Sequence, residues 1–276
     1  CKDQAGNVSD PGTSETPTTN TAEAAPAISM VLPDNLAIDG DITEWLDSDL
    51  MPYELAPSLG THIAVGTEAD FETDADLSAT GYLAVDDDYL YGAFTIVDDV
   101  YSYDPGGNFW EDDIIELYLG LYNLEKMHAG FERGAEPDYK FLILATLFTA
   151  EQAGNIDDPL MTLDDPNYEF VDFGASDWEV EFKVSLDSLA AASGDDRFHP
   201  QNGMTIPIDI VIHDSDETNV RDGALSLSPN NNDNSYQSPL NWTQTWIGDT
   251  NRVATAIGDE GPVYVREFTL KQNYPN

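Results

Sequence analysis

Tyr82-Leu83-Ala84-Val85 is followed in this chain by Asp86-Asp87-Asp88 and then by Tyr89-Leu90-Tyr91-Gly92-Ala93-Phe94-Thr95-Ile96-Val97. The two flanking runs are rich in aromatic and branched apolar residues, and the segment between them is short, polar and acidic. This arrangement is typical of a β-hairpin, in which two strands pair on either side of a tight turn. The hairpin is therefore the natural starting point for the fold of the whole chain.

Strand-like patterns of the same kind recur from about residue 36 to residue 270. Apolar residues alternate with other residues over 178–184 and 206–212, and a nearly continuous apolar run covers 139–148. Clusters of Gly, Pro, Asn and Asp separate these runs, and helical periodicity is confined to about 186–192. Many strands without a β-α-β rhythm predict an all-β fold, and we expect an antiparallel β-sandwich of the jelly-roll type.

The composition excludes several classes of protein and partner. The 276 residues are 41% hydrophobic and 11% aromatic, so the chain can bury a core. The single cysteine excludes a disulfide framework and a zinc site built on thiolates. Acidic residues outnumber basic ones by 53 to 10, which gives a net charge of −43. We therefore expect no nucleic-acid partner and no direct contact with an anionic membrane surface.

The excess of negative charge has two physical explanations. A salt-rich medium shortens the Debye length to about 3 Å at 1 M and screens the repulsion between carboxylates. Bound calcium would instead neutralise local carboxylate clusters. The acidic residues are spread along the whole chain and lysine is scarce, which favours a halophilic protein. Calcium stays open as a candidate cofactor.

The strand predicted over 109–119 carries the most informative pattern. Ile115, Leu117 and Leu119 share one face and are predicted to be core. The opposite face carries aromatic rings and carboxylates, in the order Trp110, Asp112, Ile114, Glu116, Tyr118. Such a face suits a sugar, whose C–H bonds stack on an aromatic plane while its hydroxyls bind carboxylates. The alternative is that Trp110 packs between sheets, as we expect for Trp45 and Trp178.

Five motifs, in order along the chain, resemble those of family 9 carbohydrate-binding modules. They are Ile38-Asp39-Gly40-Asp41 with Glu44-Trp45, the hairpin 85–97, the run Trp110-Glu111-Asp112-Asp113-Ile114-Ile115-Glu116-Leu117-Tyr118, the run Asp177-Trp178-Glu179-Val180-Glu181, and the late strands within 203–226. Asp177 stands where the family usually has glycine. The resemblance spans about residues 36–268, although 51–80 and 149–176 fit the pattern poorly.

The resemblance implies a non-catalytic module that clamps a poly- or oligosaccharide between two tryptophans. It implies that the ligand is bound by Trp110, Glu116, Tyr118, Arg221, Trp242 and Trp246. Trp242 and Trp246 are four residues apart and face the same side of an extended segment, so either could complete the clamp. We prefer Trp246, and we expect Arg221 to pair with Glu116 or Asp113.

Acidic clusters offer candidate calcium ligands. We single out Asp39 and Asp41 in the first motif and Asp214 and Asp216 in a late loop. Carboxylate oxygens are the ligands that calcium prefers, but no cluster has EF-hand spacing, and clusters also arise by chance in so acidic a chain. No zinc-binding histidine motif, phosphate loop or nucleophile elbow indicates an enzyme. We predict no catalytic activity and no organic cofactor.

Two other functions fit the same fold. A haem-binding electron-transfer domain would need axial ligands such as Met or His. The candidates are Met127, His128, Met204 and His213. A structural component of a cell surface or filament would keep the fold without a sugar and would bind surface-assembly partners. Fold alone does not decide between these functions.

The two ends of the sequence predict a location outside the cell. Cys1 resembles the lipid-carrying cysteine of mature bacterial lipoproteins, and Cys1-Lys2-Asp3 resembles the signal that exports such proteins to the cell surface. Residues 1–27 predict a flexible Thr/Pro-rich tether, with membrane contact only through a lipid on Cys1. Residues 268–276 resemble the start of a type IX secretion sorting domain. We expect 28–267 to be the binding domain of an extracellular protein, either an outer-membrane surface lipoprotein or a type IX-secreted one.

Overall fold

Fourteen strands and two short α-helices form the regular structure of the residues that the computed structural model describes, which are 26–67, 71, 73–123, 138–150, 159–173, 176–193 and 196–248. The strands are β1 (Ile28–Ser29), β2 (Tyr53–Leu55), β3 (His62–Val65), β4 (Leu77–Val85), β5 (Tyr89–Asp98), β6 (Ile115–Gly120), β7 (Asp138–Leu144), β8 (Leu147–Ala150), β9 (Met161–Thr162), β10 (Tyr168–Asp172), β11 (Trp178–Ser185), β12 (Thr205–Asp214), β13 (Gly223–Ser226) and β14 (Thr243–Gly248). The helices are α1 (Thr43–Leu46) and α2 (Leu186–Ser193). Single turns of 3-10 helix cover Pro57–Leu59, Phe109–Glu111, Ser235–Gln237 and Pro239–Asn241.

The hairpin predicted from the sequence is confirmed as β4 and β5. The two strands pair antiparallel along the whole length of β4. Asp86 closes the turn, because its Oδ1 accepts hydrogen bonds from the backbone amides of Asp88 at 2.8 Å and Tyr89 at 2.7 Å. An aspartate that bonds to the backbone of its own turn explains why the acidic segment reverses the chain here.

The strands belong to one hydrogen-bonded sheet with two halves. One half has the order β10-β11-β5-β4, with β2 also paired to β4. The other has the order β14-β12-β6-β7-β8-β9, with β13 paired to β12 and β3 paired to β13. β1 joins the halves, because it pairs in parallel with both β14 and β4. The other strand pairs are antiparallel.

The expectation of a purely antiparallel sandwich is therefore wrong at β1, although the all-β class is confirmed. The parallel strand between the two halves makes the sheet mixed and brings it near to a closed barrel. Only Ile28 and Ser29 form this strand. Two residues carry no periodicity, so the alternation of apolar and polar residues could not reveal it.

One main core collects apolar side chains from both halves of the sheet. β6 contributes Ile115, Leu117 and Leu119, as the alternation predicted, and β12 contributes its isoleucines. Because side chains alternate along a strand, the residues between them point to the opposite, outer face. The outer face of β6, β7 and β12 is where the candidate site lies.

Both tryptophans that were predicted to be structural are fully buried. Trp178 belongs to the main core and stacks on Phe170, with ring centroids 5.2 Å apart. Trp45 lies in a separate cluster with Tyr82, and its Nε1 donates a hydrogen bond to Oε1 of Glu181 at 2.8 Å. Neither indole is available to a ligand.

The described residues fall within one compact unit, residues 25–251. Of the predicted tether 1–27, only the last two residues are described, and Ala27 is buried beside β1. The segment 268–276 lies outside the described residues. None of the described helices has the length and apolar character of a membrane span.

Candidate functional site

A cavity of about 400 Å³ opens on the outer face of β6, β7 and β12. The three strands supply the buried residues Glu116, Lys140 and His213. The connecting segments supply the more exposed part of the lining, which consists of Phe109, Trp110, Arg221, Asp233 and Tyr236. Aromatic rings and both signs of charge thus meet in one cavity, which we call the Trp110 cavity.

Two other clefts are larger but lack this combination. One, of about 760 Å³, lies beside Asp34 and Asp47, and its described lining contains neither an aromatic ring nor a basic residue. The other, of about 880 Å³, is lined by His62 and by Phe71, whose ring is buried. Sugar sites need an exposed ring face next to polar groups. The Trp110 cavity is therefore the better candidate.

Trp110 is exposed, with 43% of its surface accessible. It lies in the single turn Phe109–Glu111, and its ring meets that of Phe109 edge to face at 5.0 Å between centroids. Its carbonyl oxygen lies 3.4 Å from Nδ1 of the buried His213. The alternative that Trp110 packs between sheets is therefore wrong.

The predicted strand 109–119 begins only at Ile115, so its first part was predicted wrongly. The amide of Glu111 bonds to the carbonyl of Asn108 at 2.8 Å, which closes a helical turn. The buried Asp112 accepts a hydrogen bond from the amide of Asp104 at 2.9 Å and ties this turn to the preceding loop. These contacts turn the chain and leave the Trp110 ring on the rim of the cavity.

Glu116 is buried and fully engaged by its neighbours. Its Oε1 lies 2.7 Å from Nζ of Lys140, and its Oε2 accepts a hydrogen bond from the hydroxyl of Tyr118 and lies 3.6 Å from Nε2 of His213. Burial alone would raise the pKa of Glu116, but the charges of Lys140 and His213 outweigh it and hold the pKa well below its usual range. Burial lowers the pKa of His213, against the pull of Glu116.

Lys140 is held on two sides. Its ammonium group lies over the ring of Phe109, 4.9 Å from the centroid, and 5.8 Å from the centroid of Tyr118. Cation–π contacts of this kind are strongest when the cation is desolvated, as it is here. Lys140 therefore fixes both Glu116 and the aromatic side of the cavity.

Arg221 pairs with Asp233, not with the expected Glu116 or Asp113. Its Nη1 donates a hydrogen bond to Oδ1 of Asp233 at 2.8 Å. Glu116 is paired with Lys140 instead, and Asp113 accepts a hydrogen bond from the amide of Ser102. The predicted arginine does reach the cavity, but it is oriented by the loop that carries Asp233.

That loop is anchored by the buried Asp209 on the outer face of β12. The carboxylate of Asp209 accepts hydrogen bonds from Oγ of Ser226 at 2.9 Å, the amide of Ser228 at 2.9 Å, Nδ2 of Asn231 at 3.1 Å and Oγ of Ser235 at 2.6 Å. Burial raises the pKa of Asp209 to about 7, although these bonds oppose the rise. The network fixes the conformation of the loop that carries Asp233 and Tyr236 to the cavity.

The remaining predicted ligand residues are placed differently. Tyr118 and Trp242 are buried and pack on each other, with ring centroids 5.4 Å apart, and Nε1 of Trp242 donates to the carbonyl of Ser235 at 2.9 Å. Trp246 is partly buried and does not line the Trp110 cavity. The structure therefore brings Trp110, Glu116 and Arg221 together, keeps Tyr118 and Trp242 behind them, and leaves Trp246 apart.

The predicted calcium ligands separate into two regions. Asp39 and Asp41 are exposed, and their carboxylates bond within their own turn, to the amides of Asp41 and Thr43, each at 3.1 Å. Among the described residues, neither belongs to a group of three ligands close enough to share an ion. These bonds hold the turn that precedes α1.

Asp214 and Asp216 belong to two acidic groups that share Asp98. Asp214 lies with Asp98 and Asp113, and Asp216 lies with Asp98 and Asp99, with one oxygen of each residue within 4.8 Å of the others in its group. Burial, followed by repulsion between neighbouring carboxylates, raises the pKa of Asp214 to about 8. Burial likewise raises the pKa of Asp98 to about 7 and that of Asp113 to about 9. Asp98, Asp99 and Asp113 were not among the calcium ligands predicted from the sequence.

The candidate haem ligands do not converge in the described residues. Met204 belongs to the main core, whereas His213 lies on the outer face of β12 beside Glu116. Met127 and His128 lie outside the described residues. His213 has a role in the Trp110 cavity that needs no haem.

Sequence reasoning did not assign five of the cavity residues to a sugar site, namely Phe109, Lys140, His213, Asp233 and Tyr236. Lys140 offered a signal, because it is a lone charge inside the apolar run 139–148. A lysine in a buried strand needs a carboxylate partner, and Glu116 on the neighbouring strand supplies it. Asp233 and Tyr236 lie in the asparagine-rich loop 228–237, whose course depends on tertiary contacts such as those of Asp209.

Comparisons with known proteins show the family and the fold of this chain. The family model for carbohydrate family 9 binding domain-like proteins matches residues 58–247. The fold is similar to a family 9 carbohydrate-binding module from Caldicellulosiruptor kristjanssonii solved with glucose, with 14% identity, a TM-score of 0.50, and coverage of 82% of this chain and 97% of that one. A structure of such a module from the same organism with cellotriose gives 14% identity, a TM-score of 0.51, and coverage of 81% and 93%. No curated protein matches the chain.

Proposed function

Because this chain belongs to the carbohydrate family 9 binding domain-like family, it is a carbohydrate-binding module, and we propose that the Trp110 cavity holds its sugar. One observation carries the proposal, which is the exposed indole of Trp110 beside a set of buried and paired charges. A ligand that covers an exposed indole removes apolar surface from water, which favours binding. A pyranose ring is flat and apolar on one face and polar at its edge, so it matches this arrangement.

The cavity residues take three roles in this proposal. Trp110 supplies the stacking surface, and Tyr236 supplies a second aromatic surface in place of the expected Trp246. Arg221 and Asp233 meet the sugar hydroxyls, because both line the cavity and lie closer to solvent than Glu116. Glu116 does not bind the sugar directly, because its oxygens already contact Lys140 and Tyr118. It instead holds these two side chains in place beneath the sugar.

The same geometry supports binding without catalysis. Hydrolysis of a glycosidic bond needs a carboxylic acid with a raised pKa on one side of the sugar and a second carboxylate on the other. Glu116 and Asp233 are the carboxylates of the described lining. The pKa of Glu116 is held well below its usual range, and Asp233 is paired with Arg221. Glu116 is therefore unsuited to donate a proton.

A glycan array tests the proposal. The full chain is applied in about 1 M sodium chloride, which screens its charge, and glucose and cellotriose are the first soluble competitors, because proteins of similar fold were solved with them. We expect wild type to bind a subset of glycans and Trp110→Ala to lose that binding. Phe173→Ala is the matched control, because Phe173 is an exposed aromatic residue that does not line the cavity.

Two outcomes would contradict the proposal. Binding by Trp110→Ala equal to that of wild type would place the sugar elsewhere. Absence of binding to every glycan would favour a structural surface component. Cys1 and the segment 268–276 lie outside the described residues. Lipidation at Cys1, export to the cell surface and type IX sorting therefore stay predictions.

A further inference from the structure

His213 is the most deeply buried residue in the described lining of the Trp110 cavity, with 1% of its surface exposed. The backbone around it is held on two sides. Its amide donates a hydrogen bond to the carbonyl of Ile114 at 3.0 Å, and on the other side it pairs with Ala224 of β13. The imidazole ring therefore has a fixed place at the floor of the cavity.

The surroundings of His213 determine which ring nitrogen carries the proton. Nδ1 lies 3.4 Å from the carbonyl oxygen of Trp110. A carbonyl oxygen can only accept a hydrogen bond, so the proton is on Nδ1. Burial lowers the pKa of His213, so the ring is neutral at pH 7. Nε2 of His213 is therefore a hydrogen-bond acceptor.

This acceptor lacks a donor. Nε2 is buried, and it has no hydrogen-bond partner in the part of the chain that the structure describes. Oε2 of Glu116 lies 3.6 Å away, beyond hydrogen-bond distance, and itself accepts from the hydroxyl of Tyr118. A buried acceptor without a donor costs free energy. A ligand group that donates a proton to Nε2 would remove this cost.

Arg221 offers an unused donor to the same ligand group. Its Nη1 is paired with Asp233, but its Nε is buried and, among the described residues, has no hydrogen-bond partner. Arg221 is close enough to His213 for its charge to contribute to the lowered pKa of the histidine. A hydroxyl both donates and accepts. One sugar hydroxyl can therefore donate to Nε2 of His213 and accept from Nε of Arg221.

Access to the two nitrogens needs only a small movement. Both atoms lie below the surface that solvent reaches in this structure, so the guanidinium of Arg221 must shift to admit a hydroxyl. Its partner Asp233 has a side chain that is 50% exposed. An exposed ion pair contributes little to stability, so its rearrangement costs little. His213 itself stays in place, because β12 and its neighbours hold its backbone.

We propose that His213 determines the class of sugar that the Trp110 cavity accepts, by accepting a hydrogen bond from one hydroxyl of an uncharged sugar residue. This inference rests on the proposed function, because it needs the sugar in that cavity. A carboxylate is rejected from the same place, since it has no proton for Nε2 and meets the negative charge of Glu116. A sugar that lacks the hydroxyl is rejected because it leaves the buried nitrogens unpaired.

Glucose analogues in which one hydroxyl at a time is replaced by fluorine test this proposal, because fluorine cannot donate a hydrogen bond. Binding to the full chain is measured by calorimetry in about 1 M sodium chloride. We expect one position at which fluorine lowers the affinity of wild type at least about tenfold, since Nε2 is left unpaired. In His213→Phe the same replacement should cost less than about twofold, as a double-mutant cycle requires for a lost contact. His213→Gln, whose amide oxygen can accept, should restore part of the difference. If the array selects another uncharged sugar, its fluorinated set replaces that of glucose.

The matched control is His199→Phe, which changes an exposed histidine outside the cavity lining and should keep the wild-type dependence on fluorine. Circular dichroism verifies that each variant folds. If His213→Phe does not fold, the nitrogen NMR resonance of Nε2 in wild type replaces it. That resonance should move on saturation with glucose and stay in place with the critical fluorinated analogue.

Three results would overturn the inference. They are a fluorine effect equal in wild type and His213→Phe at every position, an Nε2 resonance that glucose does not move, and an array on which only acidic glycans bind. If Trp110→Ala still abolishes binding in these cases, the proposed function stands and only the role of His213 falls. If Trp110→Ala binds as wild type does, or no glycan binds at all, both fall together.

Discussion

Lys140 and Glu116 form a buried ion pair below the Trp110 cavity, with Nζ and Oε1 2.7 Å apart. The two residues lie on neighbouring strands, and Lys140 stands opposite Tyr118 in the register of β6 and β7. Tyr118 donates its hydroxyl to the same glutamate. The pair therefore joins the outer faces of β6 and β7 below the Trp110 cavity.

We expect Lys140→Met to destabilise the protein by about 3–5 kcal/mol, the usual cost of leaving one buried charge without its partner. The double variant Lys140→Met/Glu116→Gln should lose clearly less than the sum of its single variants, because it leaves no buried charge. Urea unfolding of the four proteins gives the double-mutant cycle. A loss below about 1 kcal/mol for Lys140→Met, as for an exposed pair, would show that the pair is not buried in solution.

Three aromatic variants separate the observed cavity from the clamp expected from sequence. Trp110→Ala should weaken sugar binding about tenfold or more, since a stacking contact is worth roughly 0.5–1.5 kcal/mol beyond the area that it buries. Tyr236→Ala should weaken binding by a smaller factor, and Trp246→Ala should leave it unchanged. Calorimetry with the glycan selected on the array measures all three. If Trp246→Ala weakens binding and Tyr236→Ala does not, the clamp expected from the sequence is right.

The buried Asp209 predicts a dependence of stability on pH. Its pKa is about 7 in the folded protein against 3.8 for an ordinary aspartate. Between these values the folded state holds a proton that the unfolded state has lost, so stability falls as the pH rises from about 4 to about 7. Each pKa unit corresponds to about 1.4 kcal/mol, so the contribution is a few kcal/mol.

Asp209→Asn tests this prediction, because asparagine stays neutral at every pH. The stability of the variant, measured by urea unfolding across the same pH range, should fall less than that of wild type. Parallel curves for the two proteins would mean that Asp209 titrates normally. Asparagine keeps one oxygen that can accept from Ser226, but its amide group cannot accept the bonds that Asp209 receives from Asn231 and Ser235. The variant should therefore be less stable at every pH, and the test compares the slopes of the two curves, not their heights.

Stability should also rise steeply with salt. A net charge of −43 repels itself across the surface, and salt at about 1 M shortens the Debye length to about 3 Å. Among the described residues, Lys140, Arg197 and Arg221 form ion pairs with carboxylates, which compensates only part of this charge. Thermal melts from low to molar sodium chloride decide the matter, and a flat melting temperature would contradict the prediction.

The regular part of the fold could be predicted because it depends on local patterns. Strand-like patterns in 82–97 specify β4 and β5. In β12, isoleucine at every second position specifies both the strand and the face that it buries. β1 and the turn Phe109–Glu111 could not be predicted in this way. Each is two or three residues long, and each is held by contacts with distant segments, such as the pairing of Ile28 with Ile247.

The site could be predicted only where a motif already grouped its residues. Trp110 and Glu116 lie close in sequence, and the family resemblance added Arg221. Tyr236 reaches the cavity through the hydrogen bonds of Asp209, and Asp98 meets its neighbours through the ends of three strands. These residues are far apart in the sequence, so their spacing could not predict that they meet. Only the three-dimensional structure shows these contacts.

A crystal structure of the chain with the glycan selected on the array tests the central claim most directly. We predict a pyranose ring stacked on the indole of Trp110 inside the cavity, with its hydroxyls bonded to Arg221 and Asp233 and with Tyr236 on its other side. A sugar bound at Trp246, or in either of the larger clefts, with the Trp110 cavity holding only water, would contradict the account.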